Sequence, residues 1–189
     1  MSMTERLLPT PAHTIGPFYG HALPFPGGGD IAPPGHPDTI TLHGHVLDGA
    51  GAPVPDALLD FWQAAPDGSL TGAPGSLRRD PSTGGFLGRN GVDFTGFGRV
   101  ATDADGRYAL RTLPPGNTGL PYIGVCVFAR GLTHHLFTRA YLADGGDPLL
   151  DALPDERRAT LIAVEGAMRT YRFDIRLQGE GETVFLEFQ

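Results

Sequence analysis

Two histidines, His43 and His45, stand at a spacing that suits metal chelation. Residues i and i+2 of a β-strand point to the same face, so both imidazoles could reach one ion. Thr41 shares that face, however, which favours a solvated polar surface, and no third or fourth ligand can be assigned. His134 and His135 are neighbours, which an extended chain points in opposite directions. The histidines alone therefore predict no metal site.

The chain contains no motif for a catalytic serine nucleophile or for a phosphate-binding loop. It has no Gly-x-Ser-x-Gly segment, and all 14 of its basic residues are arginine, so a phosphate loop that needs lysine is excluded. The single cysteine, Cys126, stands between Val125 and Val127, which predicts a packed and unreactive thiol. One cysteine also excludes an internal disulfide framework and a cysteine-based zinc finger.

Two other features could bind a ligand. Arg130 and Arg139 lie at the ends of a predicted strand pair, and a guanidinium fork suits a carboxylate. The alternative for each arginine is an ordinary surface ion pair. Residues 14–19, TIGPFY, combine a glycine that allows close backbone approach, a proline that fixes the chain, and two aromatic rings. They predict either a ligand contact or an ordered turn, and no complete catalytic set is visible.

Composition limits the elements that could position these residues. The chain has 189 residues, enough for one domain with its own core, and 28 glycines with 18 prolines indicate many turns. The net charge of −7 argues against a nucleic-acid partner, and no apolar run is long enough to span a membrane. The start of the sequence lacks a secretion signal, so we expect a cytoplasmic protein.

The hydrophobic pattern predicts a mainly β protein, an antiparallel β-sandwich with long loops and one short helix. We expect a long loop over 65–95, a hairpin at the Asp103–Gly106 turn, and one helix over 153–162 that has Pro154 in its first turn. The predicted strands cover 39–48, 57–64, 97–103, 106–112, 122–131, 135–143, 170–178 and 182–188.

The first 38 residues differ from the rest of the chain. They are rich in proline yet contain Phe18, Tyr19, Leu23 and Phe25, large apolar side chains that a solvated linker would not need. We therefore divide the chain into an arm over 1–38, which docks on this chain or on a partner subunit, and a β-sandwich domain over 39–189.

Five segments together resemble the intradiol ring-cleavage dioxygenases. The segment at 46–64 alone is shared with many transthyretin-like sandwiches, but its combination with the FARG, TRAYL and YRFDI motifs is specific. The segments cover most of the chain, in order TPAHTIGPFY (10–19), VLDGAGAPVPDALLDFWQA (46–64), GFGRVATDADGRYALRTLPPG (96–116), VFARGLTHHLFTRAYLAD (127–144) and YRFDIRLQGEGETVFLEF (171–188).

The resemblance is to the α type of subunit in this family, which works with a β subunit. It implies that Fe(III) is held by two tyrosines and two histidines of the β subunit, a set that suits a hard ferric ion. The β subunit's His-x-His pair falls here on Tyr122 and Gly124, and its two tyrosines fall near residues 117–118 and near Phe86. The resemblance thus implies no metal site and no catalytic residue in this chain.

The implied activity is cleavage of protocatechuate with O2 to 3-carboxy-cis,cis-muconate, in the β-ketoadipate route of aromatic catabolism, by a higher αβ oligomer. The resemblance implies that this chain supplies scaffold and part of the substrate pocket. Thr14, Gly16, Pro17 and Phe18 would line the pocket, and Arg130 would favour the substrate carboxylate. Two alternatives stay open: a non-catalytic transthyretin-like binding or structural domain, and a stand-alone intradiol enzyme with unusual ligands.

Overall fold

The computed structural model describes residues 16, 19, 23–71, 78–89, 91–116 and 119–187. The predicted mainly β class is confirmed. Within the described residues the strands are β1 (Ile40–Leu47), β2 (Leu58–Trp62), β3 (Arg78–Arg79), β4 (Phe86–Gly88), β5 (Phe97–Ala101), β6 (Arg107–Thr112), β7 (Tyr122–Phe128), β8 (Leu136–Tyr141), β9 (Val164–Glu165), β10 (Thr170–Arg172) and β11 (Ile175–Arg176). The helices are α1 (Pro148–Asp151) and α2 (Asp155–Ala159), with a 3₁₀ turn at Ala167–Arg169.

Two sheets hold the main core between them. One has the order β5-β2-β7-β8 with antiparallel pairing throughout. The other is centred on β1, which pairs antiparallel with β6 but parallel with β10 and β11. Alternate residues of β1 and β6 are buried, as the period of two predicted. Buried core residues from the two sheets include Leu42, Val46, Leu59, Phe61, Leu110, Ile123, Val125 and Ile175.

The predicted hairpin at Asp103–Gly106 is wrong. β5 pairs with β2 and β6 pairs with β1, so the turn carries the chain from one sheet to the other. Its local geometry is that of a tight turn, since the Gly106 amide donates to the Asp103 carbonyl at 2.9 Å and Gly106 has a φ of 71°. Turn residues specify the reversal of the chain, whereas the pairing partner depends on packing between distant segments.

The predicted helix over 153–162 is present in shorter form as α2, and a second short helix that was not predicted, α1, precedes it. The Asp147 side chain accepts a hydrogen bond from the Leu149 amide and begins α1, and Pro154 stands just before α2. A proline disfavours helical backbone in the residue before it, so the helices stay separate. The predicted strand over 182–188 is reduced, among the described residues, to a single bridge between Leu186 and Phe137.

The second part of the predicted arm packs on its own domain. The Gly28 carbonyl accepts a hydrogen bond from the Arg99 amide of β5 at 3.0 Å, and the Gly29 carbonyl accepts one from Arg111 of β6 at 2.7 Å. A Cβ atom on Gly28 would stand 2.1 Å from the Arg99 carbonyl oxygen, so glycine is required there. Ile31 is buried in the main core. Docking of the arm on a partner subunit stays a prediction for the residues before this contact.

The long predicted loop over 65–95 contains the two-stranded ribbon of β3 and β4 in its described part. No helix among the described residues has the length and apolar character that crossing a membrane requires.

Candidate functional site

His45 is engaged by its neighbours and does not offer a metal ligand. Its Nδ1 lies 3.4 Å from Asp174 Oδ1, and Arg107 Nε donates to its Nε2 at 3.2 Å. Both ring nitrogens therefore have partners within the protein. His43 and His45 are partly exposed on the outer face of β1, as the polar-face interpretation predicted. No group of three or more His, Cys, Asp or Glu side chains arranged for a metal ion occurs in the described part of the chain.

Cys126 is buried, and its thiol stays protonated. Burial, together with the nearby charge of Asp60, raises the pKa of the Cys126 thiol to about 12, while Arg99 acts in the opposite direction. Asp60 itself is bound by Arg99 through two hydrogen bonds of 2.6 Å, from Nε to Oδ1 and from Nη2 to Oδ2. The predicted burial of the thiol is confirmed, and its low reactivity stays a prediction.

A cavity of about 650 Å³ lies on the outer face of the β5-β2-β7-β8 sheet. Register places Phe97, Trp62, Gly124 and Arg139 side by side across the four strands. Cross-strand partners share a face, so Trp62 and Arg139 project on either side of Gly124, which has no side chain. Sequence reasoning missed Trp62, whose 61% exposure is unusual for so large an apolar group.

This cavity contains the positions that the family resemblance assigns to the iron-binding histidines. Tyr122 offers a phenol there, but Gly124 offers no side chain. The guanidinium carbon of Arg139 lies 4.2 Å from the centroid of the Tyr122 ring, so a positive charge already stands beside that phenol. The nearby Asp60 carboxylate is occupied by Arg99. These residues do not fit a ferric ion, because they combine one phenol with an adjacent cation.

The two other positions of the family's ligand set can be compared only in part. Phe86, near one expected tyrosine, packs its ring 4.4 Å from the ring of Phe25 and has no hydroxyl. Residues 117–118, near the other, lie outside the described residues.

Arg130 and the amino-terminal arm meet at Asp56. Arg130 Nη2 lies 2.7 Å from Asp56 Oδ2, and the Tyr19 hydroxyl donates to the Asp56 carbonyl at 2.5 Å. The Tyr19 amide donates to the Gly16 carbonyl at 3.3 Å, so Gly16 belongs to the same corner. Of the predicted pocket residues, the structure therefore groups Gly16 with Arg130. Thr14, Pro17 and Phe18 lie outside the described residues.

Tyr19 and Asp56 are residues of this corner that sequence reasoning did not assign. Burial and the charge of Asp56 raise the pKa of Tyr19 to about 12, so its hydroxyl remains a donor. Asp56 has a φ of 57°, in the left-handed region that aspartate tolerates better than most residues. The preceding Pro55 and this aspartate are typical turn residues, which was the available signal. The Arg130 side chain remains 57% exposed, so part of its guanidinium can bind a ligand.

Comparisons with known proteins agree with this architecture. A family model described as "Dioxygenase" matches residues 27–140. The chain is 38% identical to the protocatechuate 3,4-dioxygenase alpha chain of Burkholderia cepacia, over 94% of this chain and 96% of that one. It is 32% identical to the beta chain of the enzyme from the same organism, over 77% of this chain and 67% of that one.

A solved structure shares the fold. The dioxygenase domain of a dioxygenase carbohydrate-binding protein fusion from Streptomyces sp. SirexAA-E superposes with a TM-score of 0.55 and 30% identity, over 79% of this chain and 86% of that one. The matched family model and the nearly full-length relative lead to one conclusion: the chain is a member of the intradiol dioxygenase family.

Proposed function

We propose that this chain is the α-type subunit of a heteromeric intradiol dioxygenase that opens protocatechuate with O2 to 3-carboxy-cis,cis-muconate. A β-type partner holds the Fe(III), and the two chains form a higher αβ oligomer. The observation that carries the proposal is the donor set on β7, where Tyr122 and Gly124 lie beside the Arg139 cation instead of forming a metal site. The nearly full-length similarity to an alpha chain supports the same assignment. Cytoplasmic location belongs to the proposal, since the one buried cysteine is typical of a reducing compartment.

The contribution of this chain is a wall of the substrate pocket at the Arg130 corner. Arginine carries five N–H donors, and the contact with Asp56 uses only part of them. The remaining donors suit the carboxylate of protocatechuate, which is ionised at neutral pH. Tyr19 binds Asp56 at this corner, and we assign its sequence neighbours Thr14, Gly16, Pro17 and Phe18 to the same pocket wall. In this arrangement the chain orients the substrate and narrows the access of water, while the ring opening takes place at the partner's metal.

Reconstitution tests this proposal. The chain, a β-type partner and their co-purified complex are each supplied with Fe(II) and air, and O2 uptake is measured with protocatechuate. We expect turnover by the complex and none by this chain alone. Turnover by the isolated chain would contradict the proposal and would favour a stand-alone enzyme. A chain that associates with no β-type partner would favour the transthyretin-like binding domain.

A further inference from the structure

We propose that the cavity beside Arg139 binds a small aromatic carboxylate, at a site separate from the Arg130 corner. The two arginines belong to different ends of the β7 and β8 pair. Tyr122 and Gly124 stand near the beginning of β7, whereas Arg130 follows its last residue, Phe128. Six residue steps separate the ends of this strand, or about 20 Å at the usual rise. This site depends on the cavity alone and does not rest on the proposed function.

Gly124 makes room for a ligand at the floor of the cavity. It pairs with Trp62 on one side and with Arg139 on the other, so the two large side chains flank an empty position. A glycine inside a strand weakens the strand and commonly marks a place where another group approaches the backbone. The φ of Gly124 is not in the left-handed region, so the fold did not require glycine for its backbone conformation. The cavity volume of about 650 Å³ lies in the range of small-molecule sites.

Arg139 supplies the charge that would hold an anion. Its Nη1 donates to the Tyr141 hydroxyl at 3.1 Å, and its guanidinium lies over the Tyr122 ring. Among the described residues no carboxylate forms an ion pair with it, in contrast to Arg99, Arg130 and Arg158. Arginine carries five N–H donors, and those not used by Tyr141 are available for charge-assisted hydrogen bonds to an anionic ligand.

Two carboxylates near Arg139, those of Asp147 and Asp60, accept hydrogen bonds from other residues. Asp147 contributes to the charge environment of Arg139, but its Oδ1 accepts the Leu149 amide at 2.9 Å as the cap of α1. Asp60, which also lines the cavity, is neutralised by two hydrogen bonds from Arg99. The cavity therefore presents a guanidinium that, among the described residues, forms no direct ion pair.

The walls select an aromatic ligand. The residues that line the cavity include two aromatic side chains, Trp62 and Tyr122, and two leucines, Leu70 and Leu186. Aromatic side chains pack well against a flat ring, and a guanidinium fork binds a carboxylate through two parallel hydrogen bonds. A benzoate-type molecule satisfies both requirements at once, whereas a phosphate or a short aliphatic acid would leave the aromatic walls in contact with water.

Trp62 is the only tryptophan of the chain, so its fluorescence reports directly on this cavity. The full chain is titrated with 4-hydroxybenzoate and, in parallel, with phenol, which lacks the carboxylate. We expect saturable quenching by 4-hydroxybenzoate and at least about tenfold weaker binding of phenol, since a hydrogen bond to a charged group is lost. Arg139→Gln should weaken the binding of 4-hydroxybenzoate by a similar factor, and Arg139→Lys should weaken it by less.

Arg111→Gln is the matched control, because Arg111 lies on β6 of the other sheet and pairs with Asp30. The affinity of the Arg111→Gln variant for 4-hydroxybenzoate should equal that of the wild type within about twofold. The proposal is overturned if quenching never saturates, if phenol binds as well as 4-hydroxybenzoate, or if folded Arg139→Gln keeps wild-type affinity. Near-ultraviolet circular dichroism checks the fold of each variant. Should Arg139→Gln fail to fold, the comparison of 4-hydroxybenzoate with phenol on the wild type decides alone.

Discussion

The guanidinium of Arg139 lies over the ring of Tyr122, with 4.2 Å between its Cζ atom and the ring centroid. This contact places a fixed positive charge beside the one phenol that remains at the family's ligand strand. A cation there opposes the binding of a metal cation in the same cavity, and Gly124 removes a second donor. The residues of this cavity therefore suit the anionic ligand that we propose better than a metal ion.

The Arg99–Asp60 pair should contribute measurably to stability. Both of its hydrogen bonds measure 2.6 Å and both side chains are largely shielded from solvent. Asp60→Asn leaves the guanidinium without its charge partner, so we expect a loss of about 1–3 kcal/mol in the free energy of unfolding, measured by urea denaturation. Asp30→Asn breaks the exposed ion pair with Arg111, and it should lower the free energy of unfolding by less than Asp60→Asn does. Equal effects of the two variants would contradict this ranking.

Cys126 should resist alkylation in the folded protein. Burial raises the pKa of its thiol to about 12, so the reactive thiolate is scarce at pH 8. We expect iodoacetamide to modify the native chain at least about a hundredfold more slowly than the chain in urea. Mass spectrometry of timed samples measures both rates. Similar rates would mean that the thiol is open to solvent.

Tyr19 should stabilise the protein in a way that depends on pH. Burial and Asp56 raise the pKa of its hydroxyl from 10.0 to about 12 in the folded chain. The folded protein thus holds this proton more tightly than the unfolded chain, so the stabilisation is complete below pH 10 and is lost as the pH rises from about 10 towards 12.

Tyr19→Phe removes the hydrogen bond to the Asp56 carbonyl, and we expect a cost of about 1 kcal/mol at pH 8. The difference in unfolding free energy between wild type and variant should shrink between about pH 10 and pH 12. Tyr171→Phe on β10 serves as a control for loss of a hydroxyl elsewhere. A difference that stays constant over this range would show that Tyr19 does not titrate as described.

The sequence predicted those strands that are specified by the alternation of apolar and polar residues within a short segment. β1, β6 and the β7–β8 pair follow from alternation, and each is present. The sheet membership of β5 and β6 did not follow, because the same turn chemistry serves a hairpin and a crossing between sheets. At the site, Arg130 was recognised from its motif, but its partner Asp56 was not. Tyr19 reaches Asp56 across 37 residues, a contact that only the folded chain brings together.

Arg130 should discriminate between substrates of the complex. Arg130→Ala removes the guanidinium that we propose binds the carboxylate of protocatechuate, and we expect the KM for protocatechuate to rise at least about tenfold. Catechol lacks that carboxylate, so its KM should change little. Steady-state O2 uptake by the reconstituted complex measures both constants, and Arg169→Ala, far along the chain on the 3₁₀ turn, provides the control. An equal rise for both substrates would contradict the carboxylate role.

The most direct test of the central claim is the iron content of this chain on its own. The purified chain is incubated with Fe(II) in air, passed through a desalting column, and analysed for bound iron and for visible phenolate-to-iron absorption. The proposed division of labour predicts no retained iron and no colour until a β-type partner is present. Retention of one iron per isolated chain, with the colour of a tyrosinate complex, would contradict it.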